Sequence, residues 1–479
     1  MEKLSYKDGI FLNRLCEYLV EYVDGKKDVR IILERLKKYT TKIEKKANGY
    51  WKLPKGKKVL IEALNAIILI LSYRANGVDI KAINYEFTNI LTCINSKCRI
   101  TFLAQEYSLW ASFDRLYKLL VNDFRFEVKV VYVPFFHKNA SYTDNNIELY
   151  QKAGIQIINY DKYDLSEDNP DIVFFAKPYS LIPQQFYITE IEKIVDKTVY
   201  IPYGMEASYN LLTYSFCEYL HYRVWRHIVH GPGVKLIGTQ YGYRNGENIV
   251  VWGHPKMDYY LSVEKSVIPK DWIEKINGRK VVCWCPHHTI LPGKEHSSTW
   301  LDYQEIIFEW FDKHKEVFLL WRPHPLLFGA IVNNGYMTQD KLNDFLSEKE
   351  GADNIILDMN GDYHPAFECS YAMITDGTTF SVEYLGTGNP LMMTTNDITS
   401  YYNYEDAQKG LYIGDSKKAV IEFLENVSMG YDPKRKLREE YAANIIFYPK
   451  GKTISEYIVE NLLKDLVNDQ EKLARRLCE

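Results

Sequence analysis

From residue 97 onward, short apolar runs rich in β-branched and aromatic residues alternate with amphipathic stretches of helical length. The first series includes "CRITFLA", "KVVYVPF", "IQIINY" and "DIVFFA", and a second series includes "KVVCWCPHH", "EVFLLWRPHP", "NIILDM" and "AMIT". Strands that alternate with helices form parallel sheets with helices on both faces. The two series therefore predict an α/β protein of two Rossmann-like units that face each other across a cleft.

The chain has 479 residues, which is too long for a single hydrophobic core. We expect four parts along it. They are a basic helical region at residues 1–95, a Rossmann-like unit at 96–265, a second unit at 266–445, and a C-terminal helix at 446–479 that packs back across the two units.

Composition excludes several classes of function. A net charge of −4 argues against nucleic acid as a partner. The eight cysteines form no C-x-x-C pair, and Cys283 and Cys285 share one face of a strand, so we expect reduced thiols in a cytoplasmic protein. The N-terminus does not follow a signal-peptide pattern, and the most apolar stretch, residues 59–73, is shorter than the roughly 20 residues of a membrane span.

The helical region is strongly basic. Between Lys26 and Lys58 there are 13 basic residues against 3 acidic ones. One interpretation is a solvated helix face. Another is a surface for anionic lipid headgroups or an anionic polymer, to which each basic residue contributes about 1 kcal/mol, with Tyr50 and Trp51 at the interface. Peripheral attachment to the inner face of the plasma membrane and an oligomer contact both remain open.

Polar residues follow four consecutive predicted strands of the second unit. The residues are His287 and His288; Arg322 and His324; Asp362 and His364; and Asp376, Gly377, Thr378 and Thr379, with Ser381 and Glu383 in the helix after them. In open α/β sheets, ligands bind at the carboxyl ends of the strands. We therefore expect a ligand site at this edge of the sheet.

The residue types favour a phosphorylated ligand. Gly377 allows an anion to approach the backbone, and the N–H groups at a helix start carry partial positive charge. The hydroxyl groups nearby add donors. Arg322 and a protonated His324 would neutralise a diphosphate, and the prolines on either side of His324 restrict its backbone. The alternative is structural, since "DGTT" is also a common turn and helix cap.

Other classes of site lack support in the sequence. His287, His288, His324 and His364 could bind a metal, but no metal-binding spacing accompanies them, so we predict neither a metal nor a cofactor. The Walker A, G-x-G-x-x-G and G-x-S-x-G patterns are absent. Their absence argues against a P-loop hydrolase, an ordinary dehydrogenase and an α/β-hydrolase.

Three segments, "GHPKMD", "WRPHPLL" and "ITDGTTFSVEYLGTGNPLMM", resemble in order and spacing the CDP-glycerol glycerophosphotransferases, GT-B enzymes that build teichoic acids and related capsule polymers. The matching residues are Gly253, Pro255, Lys256, Asp258, Arg322, His324, Pro325, Thr375, Asp376, Thr378, Thr379, Glu383 and Tyr384. The resemblance covers roughly residues 250–440. Over the first unit it rests on strand order alone, and residues 1–95 have no counterpart.

The resemblance implies a transferase that moves an alditol phosphate from a CDP-linked donor to a hydroxyl of a polymer or lipid-linked acceptor and releases CMP. The second unit would bind the donor and the first unit the acceptor. His324 and the "DGTT" hydroxyls would hold the pyrophosphate, and Glu383 would reach the ribose or orient its helix.

Two departures from the family pattern affect the reaction centre. Tyr203 stands where the family carries a catalytic histidine, and His287 or His288 stands where it carries an arginine. The general base therefore has His288 and Glu206 as candidates. Two alternatives stay open, namely a GT-B glycosyltransferase that uses a CMP- or UDP-sugar in capsule or lipooligosaccharide synthesis, and a non-catalytic scaffold of a polymer-synthesis complex.

Overall fold

The computed structural model describes residues 4–24, 29–45, 51–75, 97–136, 145–206, 215–262, 265–290, 298–394 and 404–479. Within these residues, strands and helices alternate as the sequence predicts. The first sheet contains β1 Cys98–Ala104, β2 Phe126–Tyr132, β3 Ile157–Asn159, β4 Ile172–Phe175, β5 Thr198–Tyr200, β6 Arg226–Val229 and β7 Ile249–Val251. The second contains β8 Lys280–Cys285, β9 Val317–Trp321, β10 Ile355–Leu357, β11 Ala372–Thr375, β12 Leu391–Met393 and β13 Tyr412–Ile413.

The described helices surround both sheets and precede the first. They are α1 Tyr6–Asp24, α2 Val29–Lys45, α3 Lys55–Ala75, α4 Asp114–Val121, α5 Asn146–Lys152, α6 Leu165–Asp168, α7 Ile188–Ile191, α8 Tyr219–Arg223, α9 Pro232–Tyr241, α10 Asp258–Leu261, α11 Lys270–Ile276, α12 Trp300–Lys313, α13 Leu327–Asn333, α14 Gln339–Glu350, α15 His364–Cys369, α16 Thr378–Leu385, α17 Tyr404–Gly410, α18 Lys417–Met429, α19 Arg435–Ile445 and α20 Ile454–Cys478.

All strand pairs in both sheets are parallel. The strand orders are β3-β2-β1-β4-β5-β6-β7 and β10-β9-β8-β11-β12-β13. Central strands such as β4 are buried along their whole length, as expected where helices cover both faces of a sheet. Each order reverses direction once, between β1 and β4 and between β8 and β11, and ligands of such folds bind at this switch point.

The predicted helices of the N-terminal region form a small bundle with its own core. Residues 32, 33, 36 and 40 of α2 are buried, which is the spacing of one helix face, and they leave the lysines of α2 on the opposite side. The C-terminal end of α20 completes this core with Ala474 and Leu477. Among the described residues, no helix is both long and apolar enough to cross a bilayer.

Several elements were absent from the sequence-based expectation. The strand β6 and the helix α9 were not predicted, because "RHIV" is short and mixes charged and apolar residues. The predicted strand thiols are as expected, since Cys283 and Cys285 are both buried and unbridged, with sulfur atoms 3.4 Å apart. The domain boundaries at 95, 265 and 445 remain predictions.

The segment between the two sheets is anchored to the start of α20. Gly253 has φ of +86°, and the side chain of Ile454 occupies the space where a Cβ of residue 253 would lie. The carboxylate of Asp258 accepts hydrogen bonds from the backbone N–H groups of Ile454 and Ser455. An acceptor at a helix N-terminus satisfies N–H groups that otherwise have no partner, so this contact joins the linker to the last helix.

Replacing Gly253 with alanine is expected to lower the free energy of unfolding by about 1–3 kcal/mol, because the left-handed backbone disfavours a side chain. The added Cβ would also lie 3.0 Å from three atoms of Ile454. Urea titration measures the change. The matched control is Gly329→Ala in α13, where a Cβ meets open space and where alanine should stabilise by up to about 1 kcal/mol. Equal stability of the two variants would contradict the anchoring role of Gly253.

Candidate functional site

The ends of β8 and β9 lie side by side because their pairing continues beyond the strands. The backbone N–H of Arg322 donates to the carbonyl of Trp284 at 2.8 Å, and that of His324 donates to Pro286 at 2.9 Å. Successive N–H groups of a strand point alternately to opposite neighbours. Arg322 and His324 donate toward β8, so Pro323 and Pro325, which have no N–H, stand at the positions that point away from β8. The "RPHP" pattern thus places His324, which follows β9, beside the loop that follows β8.

Three of the predicted histidines converge there. The ring centroids of His287 and His288 are 4.2 Å apart, those of His288 and His324 are 4.2 Å apart, and those of His287 and His324 are 5.0 Å apart. Asp362 and His364 instead bind each other, with His364 Nδ1 at 2.7 Å from the Asp362 carboxylate. The fourth histidine therefore does not belong to this cluster.

Without a ligand, the His324 imidazole is a neutral hydrogen-bond donor, and its positive charge beside a bound diphosphate stays a prediction. Desolvation and the neighbouring His288 lower its pKa to about 4. The backbone N–H of Leu326 donates to His324 Nδ1 at 3.1 Å, which leaves the ring proton on Nε2. Desolvation also lowers the pKa of His288, whose Nδ1 is buried without a hydrogen-bond partner among the described residues.

The cluster has the composition of a metal site, since one ligand nitrogen from each of His287, His288 and His324 lies within 4.8 Å of the others. A metal requires a lone pair on each ligand nitrogen. In His324 the Nδ1 lone pair accepts the N–H of Leu326 and Nε2 carries the proton. This arrangement favours an oxygen acceptor, such as a phosphate, over a cation.

Asp376, at the end of β11, holds the loop after β8 in place. Its buried carboxylate accepts hydrogen bonds from the N–H of His287 at 2.6 Å, the hydroxyl of Ser298 at 2.9 Å, and the N–H and hydroxyl of Thr299 at 2.7 and 3.2 Å. Burial raises the pKa of Asp376, and the four donors oppose that rise. These contacts give Asp376 a structural role, and its predicted contact with a donor phosphate stays a prediction.

The helix α16 begins directly after Gly377, and among the described residues no side chain caps its N-terminus. A Cβ added to Gly377 would meet only Thr375 Oγ1 at 3.4 Å, so space remains beside this backbone. The hydroxyls of Thr378 and Thr379 donate to the Glu206 carboxylate at 2.7 and 3.3 Å. Glu206 follows β5 of the first sheet, so these contacts bridge the two units.

Glu206 has the protonation behaviour of a general base. Desolvation raises its pKa to about 7, and the two threonine hydroxyls and Lys256 only partly oppose this effect. A carboxyl group with a pKa near the working pH can both accept and release a proton. The predicted base candidate therefore lies at the N-terminus of α16.

Three other predicted donor-binding residues make contacts within the protein. The Ser381 hydroxyl donates to the carbonyl of Thr378 at 2.6 Å, and Glu383 is ion-paired with Lys256 at 2.9 Å and bonded to the hydroxyl of Tyr363. The Arg322 guanidinium is paired with Asp358 and donates to the carbonyl of Asn360 at 2.6 Å. Ser381, Glu383 and Arg322 therefore position the elements around the site, and their contact with a donor stays a prediction.

Two histidines that the sequence analysis did not assign to the site hold the loop that carries Glu206. His230 Nε2 lies 3.1 Å from the carbonyl of Glu206, and His254 Nε2 lies 2.7 Å from that of Pro202. Burial lowers their pKa values to about 4 and about 3, so both rings are neutral donors. His254 belongs to "GHPKMD", and this motif is the sequence feature that could have assigned His254 to the site.

Tyr203 lies in the same loop, where the family pattern carries histidine. Its hydroxyl is 3.3 Å from that of Tyr179, and burial raises its pKa well above the ordinary value. A phenol with such a pKa is a poor general base near neutrality. The arrangement leaves Glu206 and His288 as the titratable candidates.

No protein-family model and no curated protein matches this sequence. Solved structures do match the fold. The S. aureus MnaA–UDP co-structure has 14% identity and a TM-score of 0.52, with coverage of 77% of this chain and 97% of that one. A putative UDP-N-acetylglucosamine 2-epimerase from Listeria monocytogenes has 13% identity and a TM-score of 0.53, with coverage of 78% and 98%. A variant of the wall teichoic acid polymerase TagF has 14% identity and a TM-score of 0.45, with coverage of 86% and 98%.

The likeness to MnaA and to the Listeria structure shows the fold alone. Together with the two parallel sheets, it confirms the predicted class, a GT-B fold of two Rossmann-like domains.

The raised pKa of Glu206 predicts a specific dependence of stability on pH. The unfolded carboxyl loses its proton near pH 4.5, whereas the folded one keeps it until about pH 7. The wild type should therefore lose up to about 3 kcal/mol of stability between these values relative to Glu206→Gln, which cannot ionise. Thermal melts of both proteins from pH 4.5 to 8 measure the difference. A constant difference across this range would contradict the shifted pKa.

Proposed function

We propose that this protein transfers an alditol phosphate, such as glycerol phosphate, from a CDP-linked donor to a hydroxyl group of a cell-surface polymer. The observation that carries the proposal is a group of hydrogen-bond donors at the switch point of the second sheet. They are uncharged side chains and backbone N–H groups. His324 Nε2–H, the N-terminus of α16 and the Thr378 hydroxyl all suit phosphate oxygens, and Glu206 lies beside them.

The donor pyrophosphate would bind between the histidine cluster and the start of α16. A helix N-terminus attracts anions through its partial positive charge and its free N–H groups. Thr378 and Thr379 can rotate their hydroxyls from Glu206 to a phosphate oxygen. A bound diphosphate would also raise the pKa of the His324 imidazole, because a nearby negative charge favours its protonated form.

The reaction follows from these roles. The acceptor oxygen forms a bond to the distal phosphorus of the donor, and the bond from that phosphorus to the bridging oxygen breaks. CMP leaves with the bridging oxygen. Glu206 takes the proton of the acceptor hydroxyl, and the donors around the pyrophosphate stabilise the charge that develops on the leaving phosphate. His288 is the second candidate for the base.

One observation favours a second function, namely a GT-B glycosyltransferase that uses a CMP- or UDP-sugar. Tyr203 replaces the histidine that the resembling family uses in catalysis, and its hydroxyl pairs with Tyr179. A sugar transferase would need the same phosphate contacts but a different base. Analysis of the product distinguishes the two functions, because only alditol phosphate transfer forms a new phosphodiester.

The His324→Ala variant is expected to lose at least about a hundredfold in kcat, the scale of losing one electrostatic contact in a transition state. The assay measures CMP release and the incorporation of radiolabelled glycerol from CDP-glycerol into polymer. His314→Ala is the matched control, since His314 lies in the same unit against Trp310 and away from the cluster. A loss below tenfold for His324→Ala would remove His324 from the catalytic residues.

The Gly377→Ala variant tests the close approach of a phosphate to the backbone. The protein leaves room for the added Cβ, so the melting temperature should stay within about 2 °C of the wild type. A phosphate bound at the start of α16 would collide with that Cβ, and we expect CMP affinity to fall at least about tenfold. Calorimetric titration with CMP measures it. Unchanged affinity would place the phosphate elsewhere.

A further inference from the structure

A cavity of about 560 Å³ is lined by residues that are distant in sequence from the histidine cluster. The N-terminal helices α1 and α2, the segment before α3, the end of α20, and residues 193–196 of the first unit enclose it. Its volume falls within the range of small-molecule sites in proteins. None of the residues assigned above to the donor site lines it.

The cavity is strongly basic at its rim. Of the residues that the structure describes, seven basic and two acidic ones line it. Both acidic residues are already paired, Asp196 with Lys7 and Asp8 with Lys57. Lys193 is paired with Glu190, which lies outside the lining. The positive charge of Arg35, Lys38, Lys42 and Arg476 is not neutralised by the lining of the cavity.

The rim charges come mainly from one face of α2. Arg35, Lys38 and Lys42 follow one another at intervals of three and four residues, which places them together on a helix surface. Arg476, at the end of α20, lies opposite, and the Arg35 guanidinium reaches its carbonyl oxygen at 3.4 Å. Lys38 and Lys42 are exposed. Like charges held together in this way favour a multivalent anion.

Part of the wall is apolar, beside the charged pairs Lys7–Asp196 and Lys57–Asp8. Ile43, Leu53, Leu473 and Leu477 line it, and Leu477 belongs to the core of the helical bundle. A basic rim above an apolar wall suits a ligand with an anionic head and a hydrocarbon chain, whereas a free anion would gain nothing from the wall.

We propose that this cavity binds the phosphate head group and the adjoining chain of an anionic amphiphile. The cations on α2 and Arg476 contact the phosphate, and the wall around Leu473 accepts the first part of the chain. The cavity thereby attaches the helical bundle to a membrane lipid or a lipid-linked phosphate. This inference does not depend on the proposed transferase reaction.

The test uses the full chain and vesicles of phosphatidylcholine with or without phosphatidylglycerol, in a sedimentation assay. The Lys38→Glu/Lys42→Glu variant should bind the anionic vesicles at least roughly 30-fold more weakly, since each basic residue contributes about a factor of five. The matched control is Lys341→Glu/Lys417→Glu, which makes the same charge change at exposed positions of the second unit. The control should stay within about threefold of the wild type, and equal losses in both variants would overturn the proposal.

A second variant distinguishes binding inside the cavity from electrostatic attraction to the protein surface. Ile43→Trp adds bulk inside the cavity without changing its charge. It should weaken calorimetric binding of short-chain phosphatidylglycerol, kept below its micellar concentration, at least about tenfold, with the melting temperature retained. Unchanged lipid binding would overturn the cavity as the site. Glycerol phosphate or inorganic phosphate that binds as tightly as the short-chain lipid would overturn the assignment to an amphiphile.

Discussion

The arrangement of the candidate site depends on the buried carboxylate of Asp376. It accepts four hydrogen bonds from the loop after β8 and from the residues before α12. A buried carboxylate without hydrogen-bond donors destabilises a folded protein. These segments therefore cannot move away from Asp376 without a loss of folding stability. Because Asp376 precedes Gly377, the same contact fixes the histidine cluster relative to the start of α16.

The chemistry of the site follows from partial burial more than from formal charge. Desolvation makes the His324 imidazole neutral and leaves Nε2–H as a donor, and it raises the pKa of Glu206 to about 7. His230 and His254, both neutral, hold the loop of Glu206 through backbone carbonyls. Uncharged donors beside a carboxyl that titrates near neutrality suit a reaction in which an anion binds and a proton is taken up.

Much of the fold could be predicted because apolar periodicity is local and strong. The strand ends that carry His288, His324 and Thr378 follow directly from that pattern. Side-chain partners could not be predicted, since the sequence does not say that Asp376 turns toward the loop after β8 or that Glu383 meets Lys256. The short strands β6 and β13 were also missed, because two to four residues carry too little periodicity.

The measurement that tests the central claim most directly is a thermal-shift panel of CMP, CDP-glycerol, CDP-ribitol, CMP-sugars, UDP-sugars and GDP-sugars on the purified protein. A ligand at 100 times its Kd stabilises a protein by about 2.7 kcal/mol, which such melts resolve. We expect selective stabilisation by CDP-glycerol or CDP-ribitol. Stabilisation by UDP- or CMP-sugars, with the CDP-alditols inert, would contradict alditol phosphate transfer.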